Sequence, residues 1–316
     1  MDSSIKNIIV IGASGSIGPY IVSALLSNGF SVSVLTRSSS SATFPSTVTV
    51  HRTDYSAPSL LEAFKNQDVV VSTIATFSTH QQVSIIDAAI SAGVKRFIPS
   101  EYGVDTSLPH IADLLPPALP KQHTIEYLRS KETSGLSWTA IIVGAFFDWP
   151  FQYPGLMGWD LAGRKAIVFD GGDVEYEATN VAQIARAVVA TLSPVQFEAT
   201  TNRYIYVNSF TVTQNRIVGL LEELTGAKFD VEHKTTEELG KVALEKLRAQ
   251  TGFETSGDGE YPVGAVELIT AAIYGYGGFN NFSNTRGLWN ERLSLPEEEL
   301  KTTLTRVVKE LRDNWN

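Results

Sequence analysis

The chain of 316 residues contains no cysteine. Disulfide bonds, thiolate zinc sites, iron–sulfur clusters and cysteine nucleophiles are therefore excluded. The five histidines show neither H-x-x-x-H nor H-E-x-x-H spacing, and the G-x-S-x-G motif of serine hydrolases is missing. We therefore expect neither a metal centre nor hydrolysis by a nucleophilic serine.

Long hydrophobic runs and excess positive charge are also missing. No stretch reaches 18 apolar residues, and the first segment lacks the cleavage pattern of a signal peptide. With 25 Lys and Arg against 34 Asp and Glu, the net charge is −9, which disfavours general binding to a phosphate backbone. We expect a cytoplasmic protein whose partner is a small-molecule substrate rather than nucleic acid or membrane. The oligomeric state is left open.

The first half instead shows a regular alternation of two patterns. Short runs rich in β-branched residues lie at 5–11, 31–35, 47–52, 69–73, 94–98 and 137–143. Helical patterns lie between them, at 16–28, 58–66, 79–92 and 120–133. Several runs are apolar almost throughout, which is typical of parallel strands covered on both faces. The alternation predicts an α/β fold with a Rossmann-type, doubly wound parallel sheet.

The pattern changes after about residue 150. A segment rich in glycine, proline and aromatic residues is followed by helical patterns at 181–192, 213–225, 236–250, 263–274 and 296–313. Short strand patterns occur at 166–169, 204–207 and 229–233. We expect an NADP-binding Rossmann domain at 1–150. A smaller mixed α/β lobe at 151–316 would bind substrate, interwoven with the first part and unable to fold independently.

A glycine-rich turn follows the first predicted strand directly and opens the first helix. Its G-x-x-G-x-x-G spacing, at residues 12–18, is typical of the short-chain dehydrogenase variant of the dinucleotide-binding turn. A pyrophosphate needs close approach of the backbone, and the helix N-terminus supplies N–H groups. The predicted cofactor contacts of this turn are Gly12, Ser14, Gly15, Ser16, Ile17 and Gly18.

The end of the second predicted strand indicates which dinucleotide binds. An NAD-binding protein usually has an acidic residue there for the ribose 2′-hydroxyl. Here the strand ends in Thr36 and Arg37 with no acid. Because a guanidinium is permanently charged and matches phosphate geometry, Arg37 beside Thr36 predicts NADP(H) as the cofactor.

Residues at the ends of the later strands complete the predicted cofactor site. Asp54 is expected near the adenine, and residues 73–75 are expected near the nicotinamide ribose. Each assignment is weak alone, because a buried strand end is an equally simple interpretation. The further predicted cofactor contacts are Asp54, Thr73, Ile74, Ala75, Ser100, Gly144 and Phe146.

Four segments together resemble a known family: GASGSIG at 12–18, LTR at 35–37, VVVSTIA at 69–75 and KRFIPSEYG at 95–103. They are similar to the isoflavone-reductase-like, or NmrA-like, branch of the atypical short-chain dehydrogenases. GLSWTAIIVGAFFDW at 135–149 is similar to fungal members. The resemblance implies a Rossmann domain, NADPH and reduction of a small, often phenolic or polyketide-like, substrate.

The resemblance also implies a catalytic lysine on the helix after PSEYG. Lys121 matches best, because Lys121 and Leu128 reproduce the family's lysine-to-apolar spacing. It would contact the ribose hydroxyls or donate a proton. Tyr127 and Lys131 are an alternative, since they form the Y-x-x-x-K pattern of ordinary short-chain dehydrogenases. A third possibility is that these lysines lie on the surface without a role.

Four residues beside these motifs are predicted to contact substrate. Glu101 and Tyr102 follow the fifth strand, and Tyr102 is a second candidate acid. Phe147 and Trp149 follow the sixth strand, where their rings would stack near substrate. Packing alone is an alternative for each aromatic ring, and Glu101 would otherwise fix a neighbouring loop or Lys121.

The sequence thus predicts an NADPH-dependent oxidoreductase of secondary metabolism. Its substrate would be a small apolar or aromatic metabolite with a carbonyl, an enone or a benzylic ether. One alternative is a non-catalytic NADP(H)-sensing regulator of the NmrA type. Another is an isomerase or cyclase that retains the cofactor without net redox change.

Overall fold

The computed structural model describes residues 5–109, 111–249, 263–275 and 280–313. The strands in these ranges are β1 (Asn7–Ile11), β2 (Ser31–Arg37), β3 (Thr49–Thr53), β4 (Val69–Ser72), β5 (Arg96–Ile98), β6 (Ser137–Ile142), β7 (Ala145–Phe146), β8 (Trp159–Asp160), β9 (Lys165–Phe169), β10 (Tyr176–Thr179), β11 (Arg203–Tyr206), β12 (Phe210–Val212) and β13 (Asp230–Lys234). The helices are α1 (Gly18–Ser27), α2 (Ala57–Phe64), α3 (Gln82–Ser91), α4 (Ile111–Leu114), α5 (Leu119–Ser130), α6 (Val181–Thr191), α7 (Pro194–Ala199), α8 (Gln214–Thr225), α9 (Thr236–Arg248), α10 (Ala265–Tyr274), α11 (Phe282–Thr285) and α12 (Leu300–Asp313).

A seven-stranded sheet forms the larger layer, in the order β11-β6-β5-β4-β1-β2-β3. Each neighbouring pair is parallel. An apolar cluster on one face involves α1 and α6, and a second cluster on the other face involves α2, α3 and α5. This arrangement confirms the predicted doubly wound Rossmann sheet. The chain reverses its strand order at β1 and β4, and ligands of such sheets bind in the crevice at that point.

The second half of the chain completes this layer. Strand β11 pairs in parallel with β6 as the edge of the main sheet. Helix α6 contributes Val181, Ile184 and Val188 to the apolar cluster that also contains α1. Residues after 150 therefore form both an edge strand and a covering helix of the dinucleotide-binding layer.

Arg96 on β5 joins that edge to the rest of the sheet. The side chain is 1% exposed, its guanidinium lies 4.0 Å from the ring centre of Phe197, and burial lowers its pKa to about 10. It donates hydrogen bonds at 2.5–3.2 Å to Ser137, Thr139, Phe197, Thr200 and Thr201. These bonds connect β5 and β6 with α7 and the segment that leads into β11.

Two small sheets, β12-β10-β7 and β13-β9-β8, form the core of the second lobe. Helices α6, α8, α9, α10 and α12 occur close to the predicted positions, although α12 begins at residue 300 rather than 296. Strands β7, β8, β10 and β12 have no counterpart in the sequence prediction, because each has only two to four residues. Across the described ranges, every helix is too short or too polar to cross a bilayer.

Candidate active site

The glycine turn between β1 and α1 is a tight packing of backbone against backbone. Gly12 has φ +78°, and a Cβ atom there would lie 2.6 Å from the carbonyl oxygen of Thr73. A Cβ on Gly18 would lie 2.5 Å from the carbonyl carbon of Ala13. Both positions therefore require glycine for the fold itself, whatever the turn binds.

Gly15 differs from the other two glycines. Its amide donates to the carbonyl of Gly12 at 2.9 Å, and a Cβ there would meet only that carbonyl, at 3.2 Å. Ser14 and Gly15 are exposed and Ser16 is half-buried, whereas the Ile17 side chain packs in the core. The exposed backbone of the turn precedes the N-terminus of α1, where the first N–H groups lack helical partners. This combination suits an anion.

Arg37 lies at the carboxyl end of β2 with its side chain exposed. The adjacent Thr36 is buried. On β3, Arg52 donates to the carbonyl of Ser40 and so contacts the loop that follows Arg37. The carboxylate of Asp54 is also exposed, and it accepts a hydrogen bond from the backbone amide of Ser56 at 2.9 Å. Hydrogen bonding to the side chain of Ser56, and then to its backbone amide, lowers the pKa of Asp54.

Residues 73–75 continue β4 at the switch point beside the glycine turn. The Thr73 hydroxyl donates to the carbonyl of Ile11 at 2.8 Å. The buried Ser100 hydroxyl donates to the carbonyl of Ile74 at 2.7 Å, and the amide of Ser100 donates to Gln82 at 3.0 Å. Ala75 is exposed. Ser100 therefore fixes the strand ends of β4 and β5 relative to each other.

Lys121 lies in the first turns of α5 and is only 6% exposed. Its Nζ donates to the backbone carbonyl of Glu101 at 2.8 Å. Gly103 lies beside it, since a Cβ on Gly103 would be 4.0 Å from Nζ. Burial lowers the pKa of Lys121, and the nearby charge of Glu101 opposes that shift.

Glu101 and Tyr102 are buried at the carboxyl end of β5. Thr106 donates to Oε2 of Glu101, whereas Oε1 has no partner in the part of the chain described. Burial raises the pKa of Glu101. The Tyr102 hydroxyl is also buried without a partner, and burial raises its pKa. Two buried polar atoms without a partner among the described residues, Oε1 of Glu101 and the Tyr102 hydroxyl oxygen, therefore belong to the segment that Lys121 contacts.

One cleft joins the glycine turn to the lysine. It encloses about 960 Å³ of empty space, part of which is open to solvent. Its polar side chains come from Ser16, Thr76, Tyr102, Thr106 and Lys121. The apolar lining is Val104, Leu115, Pro117, Ala118, Ala145, Phe146, Trp149, Leu156, Met157, Val266, Ile269 and Ile273, with Gly103 and Gly144 between the two groups.

The predicted substrate residues separate into two groups. Tyr102 and Trp149 line the cleft, and the Trp149 ring lies edge-on to Phe146 at 6.2 Å. The structure places Phe147 elsewhere, in the core of the second lobe, where its ring meets Phe210 at 4.9 Å. Successive residues of an extended segment point to opposite sides, so Phe146 and Phe147 cannot both face the cleft. Glu101 lies behind the cleft wall and not on it.

Tyr127 and Lys131 do not reach the cleft. The Tyr127 hydroxyl donates to Asp87 on α3, and the Lys131 ammonium lies 4.9 Å from the Tyr127 ring centre. Both residues lie at the far end of α5 and outside the cleft lining. Of the two lysine alternatives, the structure therefore brings Lys121 to the glycine turn.

Several residues that line the cleft were not predicted from the sequence. Thr76 and Thr106 follow β4 and β5, where a polar residue at a strand end was the available signal. Val266, Ile269 and Ile273 come from α10, more than 100 residues further along the chain. Their i, i+3, i+7 spacing marks an apolar helix face but not what that face covers.

Comparison with known proteins shows which family the chain matches. The family model described as the NmrA-like family matches residues 4–312. Oxidoreductase aprR of Aspergillus flavus is 36% identical over 306 residues, which cover 96% of this chain and 98% of that protein. Oxidoreductase poxI of Penicillium oxalicum is 29% identical over 267 residues, covering 84% and 81%.

Reductases are among the solved structures with the same fold. A chain from the crystal structures of pinoresinol–lariciresinol and phenylcoumaran benzylic ether reductases aligns with TM-score 0.73 at 19% identity, covering 96% of this chain and 99% of that chain. AtPrR2 with NADP⁺ and (+)pinoresinol aligns with TM-score 0.67 at 21% identity, covering 97% and 96%. At these identities the likeness establishes the fold alone.

Proposed function

The chain belongs to the NmrA-like family, and on that premise we propose that it is an NADPH-dependent oxidoreductase of the isoflavone-reductase type. Its substrate is a small apolar or aromatic metabolite that carries a carbonyl, an enone or a benzylic ether. One observation supports this proposal above all. Ser16 of the glycine turn and Lys121 line the same cleft, so that a dinucleotide on the turn and a buried amine would meet at one substrate.

The residues present fit a dinucleotide phosphate. The exposed backbone at Gly15 leaves room for a pyrophosphate, and a Cβ there would occupy part of that space. The exposed Arg37 guanidinium ends β2, a strand whose own sequence contains no acid, and would contact the 2′-phosphate. The relative AtPrR2 was solved with NADP⁺, which supports the same choice of cofactor.

When bound, NADPH supplies a hydride to the substrate carbon. Lys121 stabilises the negative charge that then develops on the substrate oxygen and donates a proton to it. Within the described residues, the Nζ atom makes one hydrogen bond, to Glu101, which leaves its other protons for the cleft. Burial lowers the pKa of Lys121 and so makes the proton easier to transfer.

The cleft lining supports an apolar substrate. Aliphatic and aromatic side chains form most of its wall, and its polar side chains are Ser16, Thr76, Tyr102, Thr106 and Lys121. A substrate with one reacting oxygen and a hydrocarbon ring system would match this division. AtPrR2 was solved with (+)pinoresinol, which supports a small-molecule substrate.

NADPH oxidation measured against a panel of phenolic and polyketide enones, ketones and benzylic ethers tests the proposal. Lys121→Ala is expected to lower kcat about 100-fold or more, because the proton donor is lost. Lys131→Ala at the C-cap of the same helix is the matched control and is expected to leave kcat within a factor of about two, since Lys131 lies outside the cleft.

Two other results would replace the proposal. Tight NADPH binding without turnover of any panel member would favour a redox sensor. A product formed while the NADPH concentration stays constant would favour an isomerase or cyclase. Equal activity of wild type and Lys121→Ala would remove Lys121 from the mechanism.

A further inference from the structure

Glu101 is a buried carboxyl group whose position the proposed reaction does not yet explain. Its side chain is fully buried at the end of β5, and burial of a carboxylate is costly unless partners compensate for it. Thr106 donates to Oε2, while Oε1 lacks a partner among the residues described. A half-satisfied carboxyl group behind a cleft wall requires an explanation.

Lys121 is the cation whose charge opposes the effect of burial on this carboxyl group. Its Nζ bonds to the main-chain carbonyl of Glu101 rather than to the carboxylate, so the amine is fixed close to the charge without a direct ion pair. A lysine ammonium has three protons, so the bond to the Glu101 carbonyl leaves two for other acceptors.

The other charged or titratable groups around the pair are already compensated or neutral. Asp105 accepts a hydrogen bond from Arg286 at 3.1 Å. Tyr102 and, on β11, Tyr204 face the same region, and burial raises the pKa of each, so both are neutral. Glu101 is therefore the anion that can offset the cost of a charged amine at Lys121.

We propose that Glu101 is a positioning residue whose negative charge keeps Lys121 protonated inside the cleft. The inference rests on the proposed role of Lys121 as proton donor. During turnover the proton moves from the Lys121 ammonium to the substrate oxygen, which carries the electron pair displaced by the hydride. Lys121 is left neutral and regains a proton from solvent. The proposal requires Glu101 to stay ionised against the burial that raises its pKa. Thr106 supports this state by donating to the carboxylate.

Titration of Lys121 in the full-length protein tests the inference directly. Lysine labelled with ¹³C at Cε gives a resonance that is assigned by its loss in Lys121→Met. Glu101→Gln keeps the shape and the acceptor for Thr106 but removes the charge. We expect its Lys121 titration midpoint to fall by about one pH unit or more, since an opposite charge at short range shifts a pKa by about 1–3 units. Glu101→Asp is expected to retain most of the wild-type midpoint.

Glu177→Gln is the matched control. Glu177 is also fully buried, but its carboxylate accepts from Asn208, Thr211 and the amide of Ser283. This variant is expected to leave the Lys121 midpoint unchanged. A midpoint in Glu101→Gln that equals or exceeds the wild-type value would overturn the inference.

The pH profile of NADPH oxidation gives a second readout. The activity of Glu101→Gln is expected to decline at a lower pH than that of wild type, by the same interval as the titration midpoint. A lower kcat with an unmoved profile would contradict the inference and indicate a structural role. If wild type oxidises no NADPH, the proposed function fails, whereas the titration still decides whether Glu101 controls Lys121.

Discussion

The proposed chemistry depends on two cationic side chains, one on α5 and one at the carboxyl end of β2. Lys121 and Arg37 are both cations, yet their environments differ completely: one is buried against Glu101 and the other is exposed. A buried amine loses affinity for its proton, whereas a guanidinium stays charged almost everywhere. Lysine is therefore suited to proton transfer and arginine to permanent binding of a phosphate.

Replacement of Arg37 tests the choice of dinucleotide. Arg37→Ala is expected to raise the Kd for NADPH about 10- to 100-fold, because hydrogen bonds to a charged group contribute about 1.5–3 kcal/mol. The Kd for NADH should change little, since NADH lacks the 2′-phosphate. Isothermal titration calorimetry measures both constants. Arg52→Ala, on the neighbouring strand, is the control. Equal affinity of the wild-type protein for NADPH and NADH would refute the assignment.

The pH dependence of turnover follows from Lys121. As a proton donor it must be protonated, so activity is expected to be lost as the pH rises through its pKa. Burial lowers that pKa from the ordinary lysine value, and Glu101 limits the decrease. The basic limb of the kcat profile should therefore lie below pH ~10.5, and a limb that matches a free lysine would contradict the role.

The β1–α1 turn shows that one motif combines two requirements. Gly12 and Gly18 have no space for a Cβ atom next to Thr73 and Ala13, whereas Gly15 faces solvent with only one close contact. Gly12 and Gly18 are needed for strand–helix packing. Gly15 is needed only if another molecule approaches the backbone there.

Two alanine variants separate these requirements. Gly12→Ala is expected to destabilise the fold by at least ~1–2 kcal/mol, because φ is +78° and the new Cβ would contact Thr73. Gly15→Ala is expected to change the melting temperature little but to weaken NADPH binding about 10-fold or more. Differential scanning fluorimetry and calorimetry give the two readouts. A Gly15→Ala protein with normal NADPH affinity would argue against a pyrophosphate at this turn.

Helix α10 contributes the part of the cleft that is furthest away along the chain. Its apolar residues Val266, Ile269 and Ile273 face the wall formed by residues of the first half. The helix packs beside α9 and contributes to the core of the second lobe. The shape of the substrate pocket therefore depends on how the second lobe sits over the sheet.

The layers of the folded molecule do not coincide with the two halves of its sequence. Strand β11 and helix α6 come from the second half but complete the main sheet and one of its faces. The five hydrogen-bond partners of Arg96 lie on both sides of residue 150. We propose that the two halves form one cooperative unit although they serve cofactor and substrate separately.

A fragment of residues 1–150 tests this proposal. It lacks β11 and α6, so the edge of β6 and the apolar face of α1 would be exposed. We expect the fragment to show no cooperative urea transition, whereas the full chain unfolds in one transition with coincident tryptophan fluorescence and far-UV circular dichroism. A fragment with a sharp transition of its own would show instead that the first half is an independent domain.

The amino-acid sequence was sufficient for the parallel sheet, the glycine turn and the helix that carries Lys121. Each of these follows from a local pattern: apolar runs of four to seven residues, glycine at fixed spacing, and a basic residue on a helix after PSEYG. Local patterns are readable because they depend on neighbours in the chain.

Local sequence patterns did not predict which residues assemble into the cleft. Lys121 lies near the start of α5 and Lys131 at its C-cap, and Phe146 and Phe147 are adjacent, yet of these four only Lys121 and Phe146 reach the cleft. Which face of a helix or strand is covered depends on elements far away in the chain, and here those are β10, β12 and α10. Apolar residues fit a core and a substrate pocket equally well, so only three-dimensional packing separates the two.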